Sequence, residues 1–273
     1  MRAAAWLFLG LLGAWARADD SAPRAFDELS KSTDGKFRPT PTAAARPQRA
    51  SSPAAKPPIV SSRQWGSAPD ETALKRTPKQ IPAWITIHHS GTLWKAGKDP
   101  ADFLRKLQAW GKSPLAPKDE VRKAPFPDVP YHFMIAPDGR IFEGRPVMYE
   151  PQSNTPYAVN GNLGIELMGD FERQRPSPAQ LRSLVALTAW LAQRHGIGLD
   201  HVRGHTDALQ GAAECAGSAA PECATDCPGK DLYRYFKDGQ LKLWLEEAAR
   251  GETPRIAPGP ALADGPAVPI PTR

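Results

Sequence analysis

The sequence predicts an α/β fold in which a central mixed β-sheet is flanked by helices. Residues 84–89 and 163–169 are short strand-like runs, and residues 100–110 carry apolar side chains at helical spacing. Strand-like and helix-like runs alternate along the chain. This alternation is typical of a sheet with helices packed on its faces.

The remaining elements follow from local signals. Residues 131–144 contain two strand-like runs joined by Pro137-Asp138-Gly139, which predicts a β-hairpin. Ser177, Pro178 and Gln180 predict the start of a helix that ends at Gly196. We also expect a short strand end at residues 202–205 and a last helix at 232–249, weakened at Gly239.

Composition divides the 273 residues into four parts. A single hydrophobic core reaches its limit at about 250–300 residues, so one domain suffices. We predict a signal peptide at 1–18, a disordered linker rich in Pro and Ala at 19–58, a domain at 59–250 and a disordered tail at 251–273. The linker and the tail are assigned because their prolines prevent regular structure.

The N-terminus reads as an export signal. Arg2 precedes an apolar run at residues 3–14, and Ala16-Arg17-Ala18 is a small-x-small cleavage signal. We expect cleavage after Ala18, with an uncleaved anchor as the alternative. The mature chain would be exported, periplasmic or secreted, without a membrane span.

The charge pattern argues against nucleic acid as a partner. With 35 Lys and Arg against 29 Asp and Glu, the net charge of +6 is mildly basic and shows no long like-charge run. This pattern argues against a dedicated nucleic-acid binder. We expect a monomer.

Three residues could hold a metal. His88 and His205 each lie at the end of a predicted strand, and Cys227 lies in a turn that begins a helix. Two imidazoles and a thiolate form a known catalytic zinc set with a fourth position left for water. Their spacing alone leaves open that they are structural histidines and a buried or paired cysteine.

The sequence resembles the zinc-dependent type 2 N-acetylmuramoyl-L-alanine amidases, whose fold is shared with peptidoglycan recognition proteins and phage amidase lysozymes. Five segments match in chain order over roughly residues 59–240. They are SRQWG at 62–66, ITIHHS at 85–90, the hairpin from PYHF to EGR at 130–145, NLGIEL and GDF within 162–171, and GHTD at 204–207 with CPG at 227–229.

The resemblance implies a single zinc amidase domain with Zn²⁺ held by His88, His205 and Cys227. Asp226 is a rival for the third ligand position, since many relatives use Asp there. Glu166 matches a catalytic base, and its burial would raise its pKa. Tyr131 matches a tyrosine that points at the zinc and could stabilise the developing oxyanion.

Two alternatives to these roles stay open. Glu166 could instead pair with an arginine, and Tyr131 could be a core aromatic with a wet hydroxyl. Thr225 stands where some relatives have a lysine; a hydroxyl there can hydrogen-bond but carries no charge. We keep Thr225 as a site residue.

The family also implies a substrate, peptidoglycan and its muropeptides, cut between N-acetylmuramic acid and L-alanine. The alternatives are a recognition module that binds peptidoglycan without cutting it and a zinc peptidase acting within the stem peptide. Non-catalytic relatives typically lose the third ligand, which is present here as Cys227.

In an exported chain we predict a Cys215–Cys223 disulfide near the zinc. Pairing of Cys223 with Cys227 is the alternative.

Overall fold

The structure is a computed structural model that describes residues 53–115 and 124–272. The predicted signal peptide and most of the predicted linker lie outside the described residues. The described strands are β1 (Ile59–Val60), β2 (Trp84–His89), β3 (Phe133–Ile135), β4 (Ile141–Glu143), β5 (Asn162–Leu167) and β6 (Val202–Gly204). The helices are α1 (Ser62–Trp65), α2 (Glu71–Arg76), α3 (Pro100–Lys112), α4 (Pro178–His195), α5 (His205–Gln210), α6 (Lys230–Lys237) and α7 (Gln240–Ala249).

The six strands form one sheet in the order β1-β4-β3-β5-β2-β6. The hairpin pair β3–β4 is antiparallel, and the other described pairings are parallel. The prediction of a mixed sheet flanked by helices is confirmed. Because β2, β5 and β6 run parallel, their carboxyl ends meet at one edge, where α/β folds commonly bind ligands.

Helix α4 begins and ends where the sequence predicts. The Ser177 side chain accepts a hydrogen bond from the Gln180 backbone N–H, and the Gln180 side chain caps Ser177 in return, which starts α4. Gly196 ends it in the left-handed conformation at φ 66°. The buried face of α4 carries five leucine and valine residues, at positions Leu181, Leu184, Val185, Leu187 and Leu191.

Two predicted elements differ in the structure. The strand end at 202–205 stops at Gly204, and His205 is the first residue of α5. The helix predicted at 232–249 is divided into α6 and α7, because Gly239 takes a left-handed backbone at φ 76° that interrupts the helix. The short elements β1, α1, α2 and α5 were not predicted.

The C-terminal segment lies on the domain, unlike the disordered tail that its composition predicts. Ile270 is 3% exposed and joins the main hydrophobic core. Arg175 N donates to Val268 O at 2.8 Å, and Ile270 N donates to Arg175 O at 3.0 Å. The Ile270 side chain and these two backbone hydrogen bonds are among the contacts that hold this proline-rich segment. The end of the predicted linker is also ordered, since the Lys56 ammonium lies 5.6 Å from the Trp190 ring centre.

We expect Ile270→Ala to destabilise the domain by about 2–5 kcal/mol, because it leaves a cavity in the core. Urea unfolding followed by circular dichroism measures this. Val268→Ala is the matched control, since Val268 is 61% exposed and its truncation should cost less than about 0.5 kcal/mol. Equal effects of the two variants would show that the segment is not anchored through Ile270.

Among the described residues, the helices are too short or too polar to cross a membrane.

Candidate metal centre

The sheet register brings the first two candidate ligands together. His88 on β2 lies opposite Glu166 on β5, and Ile87 lies opposite Gly204 on β6. His205, which follows Gly204, therefore stands beside His88 at the carboxyl edge of the sheet. Their ring centroids are 4.6 Å apart.

Cys227 completes a cluster with these two histidines. One candidate ligand atom from each residue can be chosen so that all lie within 4.8 Å of one another. Cys227 Sγ is 3.6 Å from His88 Nδ1. Zn–N and Zn–S bonds of about 2.0 and 2.3 Å at a tetrahedral angle give a separation of about 3.5 Å, close to this distance. The donor types and this spacing fit zinc.

The imidazole nitrogens that face this cluster lack other partners. His205 Nδ1 is buried and has no hydrogen-bond partner among the described residues. His205 Nε2 is 2.6 Å from Thr155 Oγ1, and His88 Nε2 is 3.5 Å from Tyr157 Oη. Both rings thus leave Nδ1 for a metal. Thr155 and Tyr157 were missed in the sequence, because an irregular loop gives no periodic signal.

In the absence of a cation, burial favours the uncharged forms of His88, His205 and Cys227. It lowers the pKa of His88 well below 6.5, with His205 and then His89 as further causes. Burial likewise lowers the pKa of His205 to about 4. Burial is also the main cause that raises the pKa of the Cys227 thiol above its ordinary value of 9.0. Neutral imidazoles are ready to bind a metal, and the thiol would release its proton on binding.

Local hydrogen bonds fix the turn that carries Cys227. Thr225 Oγ1 accepts a hydrogen bond from Cys227 N at 3.2 Å, and His89 N donates to Cys227 Sγ at 3.4 Å. Thr225 lines the cleft beside the cluster. Asp226, the rival ligand, is exposed and is not part of the cluster. Gly229 follows at φ 90°, where an added Cβ would lie 2.6 Å from the Phe171 carbonyl carbon.

Glu166 is a buried carboxyl group at the same edge. It is 0% exposed, and both carboxyl oxygens lack a hydrogen-bond partner among the described residues. The arginine pair that remained open in the sequence is therefore not formed. Burial raises the Glu166 pKa from 4.5 to about 8. Such a group can accept and return a proton near neutral pH.

Tyr131 borders the cluster from the hairpin side. Its ring centroid is 5.0 Å from that of His88. Burial, and secondly the charge of Glu166, raise its pKa well above 10.0, so the hydroxyl keeps its proton. It can therefore donate a hydrogen bond in the cleft, although part of the residue also packs against the core.

Comparison with known proteins identifies the family of this chain. Residues 78–230, more than half of the chain, match the type 2 amidase family, described as N-acetylmuramoyl-L-alanine amidase. The chain belongs to this family.

The curated relatives of this amidase-family chain include recognition proteins. Peptidoglycan-recognition protein SD of Drosophila simulans is 27% identical over 193 residues, which cover 70% of this chain and 89% of the relative. Peptidoglycan-recognition protein SA of Drosophila melanogaster is 29% identical over 191 residues, covering 70% and 82%. These relatives leave both hydrolysis and binding open within the family.

Solved structures agree on the fold. The Drosophila peptidoglycan recognition protein SD structure matches with a TM-score of 0.50 at 23% identity, covering 67% of this chain and 94% of that chain. The bumblebee recognition protein SA structure gives a TM-score of 0.50 at 21% identity, covering 70% and 97%. The predicted family and fold class are therefore confirmed.

A cleft opens onto the cluster of this amidase-family domain. Its volume is about 420 Å³, and His88, His205, Cys227, Glu166 and Tyr131 all line it. Apolar side chains from α3 and the segment after it form a further part of the lining, namely Phe103, Leu107, Trp110 and Phe126. The cleft can therefore take a partly apolar chain across the candidate metal centre.

The predicted Cys215–Cys223 disulfide is present, and Cys227 is a free thiol. The rival pairing of Cys223 with Cys227 is therefore not formed. Cys215 is buried in a small second hydrophobic cluster with Tyr157, Ala208, Leu209 and Ala212. The disulfide thus packs in the same cluster as the Tyr157 ring, whose hydroxyl faces His88.

Proposed function

We propose that this chain is a zinc-dependent amidase that hydrolyses the bond between N-acetylmuramic acid and L-alanine in peptidoglycan. The observation that carries the proposal is the cluster of buried His88 and His205 with half-buried Cys227, beside an unpartnered carboxyl group. Retention of all three donors supports catalysis over binding alone.

His88 and His205 would hold Zn²⁺ through Nδ1, and Cys227 through Sγ. Bound zinc supplies Lewis-acid polarisation of the amide carbonyl and lowers the pKa of water. Glu166 takes the proton of the attacking water at a carboxylate oxygen and delivers it to the leaving nitrogen. Tyr131 donates its hydroxyl hydrogen to the oxygen on which charge develops. Thr225 holds the Cys227 turn.

The substrate assignment rests on the family and on the lining of the cleft. A cleft lined in part by apolar side chains suits a peptide stem attached to a sugar. The chain would meet this polymer after export, once the predicted signal peptide 1–18 has been removed, and act as a monomer. No nucleic acid takes part.

A second candidate function is peptidoglycan recognition without cleavage. The curated relatives named as recognition proteins favour it. Binding would then use the same cleft and leave Glu166 and Tyr131 without a chemical role.

Digestion of purified peptidoglycan tests the proposal. We expect the mature protein to release stem peptides with an L-alanine amino terminus, detected by mass spectrometry. A chelator should stop the release and added Zn²⁺ should restore it. Binding without release, unchanged by the chelator, would refute the amidase and favour the recognition module. Cuts within the stem would instead identify a zinc peptidase.

A further inference from the structure

A single loop carries two hydroxyl groups that lie beside the two candidate histidine ligands and a third that contacts one of these hydroxyls. Thr155 Oγ1 is 2.6 Å from His205 Nε2, and Tyr157 Oη is 3.5 Å from His88 Nε2. Ser153 joins them, since its Oγ is 2.9 Å from Thr155 Oγ1. We call Ser153, Thr155 and Tyr157 the hydroxyl bracket.

The bracket is held at both ends of its loop. The buried Arg145 guanidinium donates to Glu150 O at 2.7 Å and also to the Gln152 side chain. After the loop, Asn162 Nδ2 donates to Ala158 O at 2.9 Å. Within the loop, Thr155 N donates to Ser153 Oγ at 3.2 Å. These bonds limit how far the hydroxyls can move away from the imidazoles.

The hydrogen bonds have a definite direction once the metal site forms. An imidazole that binds a metal through Nδ1 carries its hydrogen on Nε2. His205 Nε2–H then donates a hydrogen bond to Thr155 Oγ1, and the Thr155 hydroxyl can donate a hydrogen bond to Ser153 Oγ. His88 Nε2–H faces Tyr157 Oη in the same way. Each ring is thereby held in the tautomer and orientation that present Nδ1 to the metal.

We propose that the hydroxyls of Ser153, Thr155 and Tyr157 orient the two histidine ligands and so set the zinc affinity. The inference rests on the zinc site of the proposed function. The bracket residues are positioning residues, because they touch the ligands and not the reacting atoms. The Thr155 contact is the shorter one and carries the larger effect.

Zinc affinity measured by competition with a chromophoric chelator tests the bracket. Loss of such a partner typically weakens metal binding about 10- to 100-fold, and we expect this for Thr155→Val. Thr155→Ser keeps the hydroxyl and should stay within about threefold of the parent chain, and Tyr157→Phe should fall between the two. The Co²⁺-loaded proteins should show a matching change in their visible ligand-field bands.

Matched controls separate positioning from folding. The control variants are Thr188→Val and Tyr235→Phe. Each removes a hydroxyl from a buried residue outside the hydroxyl bracket, and these residues are 0% and 3% exposed. They should leave zinc affinity unchanged, and the melting temperatures of the metal-free proteins report any loss of stability. Zinc affinities of Thr155→Val and Tyr157→Phe within threefold of the parent chain would overturn the inference. So would an equal loss in Thr155→Ser.

This outcome is independent of hydrolysis. A parent chain that binds zinc but releases no stem peptide refutes the amidase alone, since the affinities of the variants still report on the bracket. A parent chain that binds no zinc refutes both.

Discussion

We expect the Cys227→Ser variant to lose bound zinc and, with it, amide hydrolysis. Serine offers a neutral hydroxyl in place of the thiolate that completes the set with His88 and His205. The metal contributes several kcal/mol of transition-state stabilisation, so its loss should reduce the rate by about 1,000-fold or more. Metal content by mass spectrometry and stem-peptide release measure the two effects.

Two neighbouring variants sharpen this test. Cys227→Asp should keep more zinc than Cys227→Ser, because a carboxylate oxygen is a zinc ligand. Asp226→Asn should keep both zinc and activity, since Asp226 is exposed outside the cluster. Zinc loss in Asp226→Asn together with retention in Cys227→Ser would move the third ligand to Asp226.

Glu166→Gln should reduce kcat about 100- to 10,000-fold, the range expected for a general acid–base group. Zinc content should stay unchanged, because Glu166 is not a ligand in the proposed centre. Glu143→Gln is the matched control: Glu143 lies on β4, and its carboxylate already accepts a hydrogen bond from Ser62 N at 3.1 Å. Unchanged turnover in Glu166→Gln would remove its proposed role.

The same variant has a pH signature in the metal-free protein. Folding raises the Glu166 pKa from 4.5 to about 8. Between these values the folded chain holds a proton that the unfolded chain has lost, so stability falls as the pH rises through this window, by about 1.4 kcal/mol per pH unit. Glutamine lacks this titration. The melting temperature of Glu166→Gln should therefore rise relative to the parent chain from pH 5 to pH 8, and parallel curves would contradict the burial argument.

Periodicity and capping predicted the long elements well. The pattern of β2, the hairpin turn and the capping box of α4 are local signals, and each appears in the structure where the sequence places it. The order of strands is not local, because it depends on which edges pair. The helix α5 was missed because it is only six residues long and begins at His205 itself.

The site was predicted from the resemblance more than from spacing. His88 and His205 are distant in sequence, and the register of β2 with β6 shows why they meet. The structure brings His88, His205 and Cys227 together as predicted, while their role as zinc ligands stays a prediction. The contact of Thr155 with His205 and the anchoring of Ile270 were not predicted, because composition does not show where a single side chain packs.

The three cysteines, within 13 residues of one another, must end in two different oxidation states. Cys215 and Cys223 are joined, whereas Cys227 is a thiol against His88. If Cys227 formed a disulfide with Cys215 or Cys223, the chain would lose a candidate metal donor. It would also lose the Cys215–Cys223 disulfide, which packs in the same cluster as Tyr157. Zinc binding at the proposed centre would protect this oxidation pattern, because a thiolate bound to metal is withdrawn from exchange with the neighbouring disulfide. Formation of the proposed centre therefore depends on which cysteines become oxidised as well as on the folding of the chain.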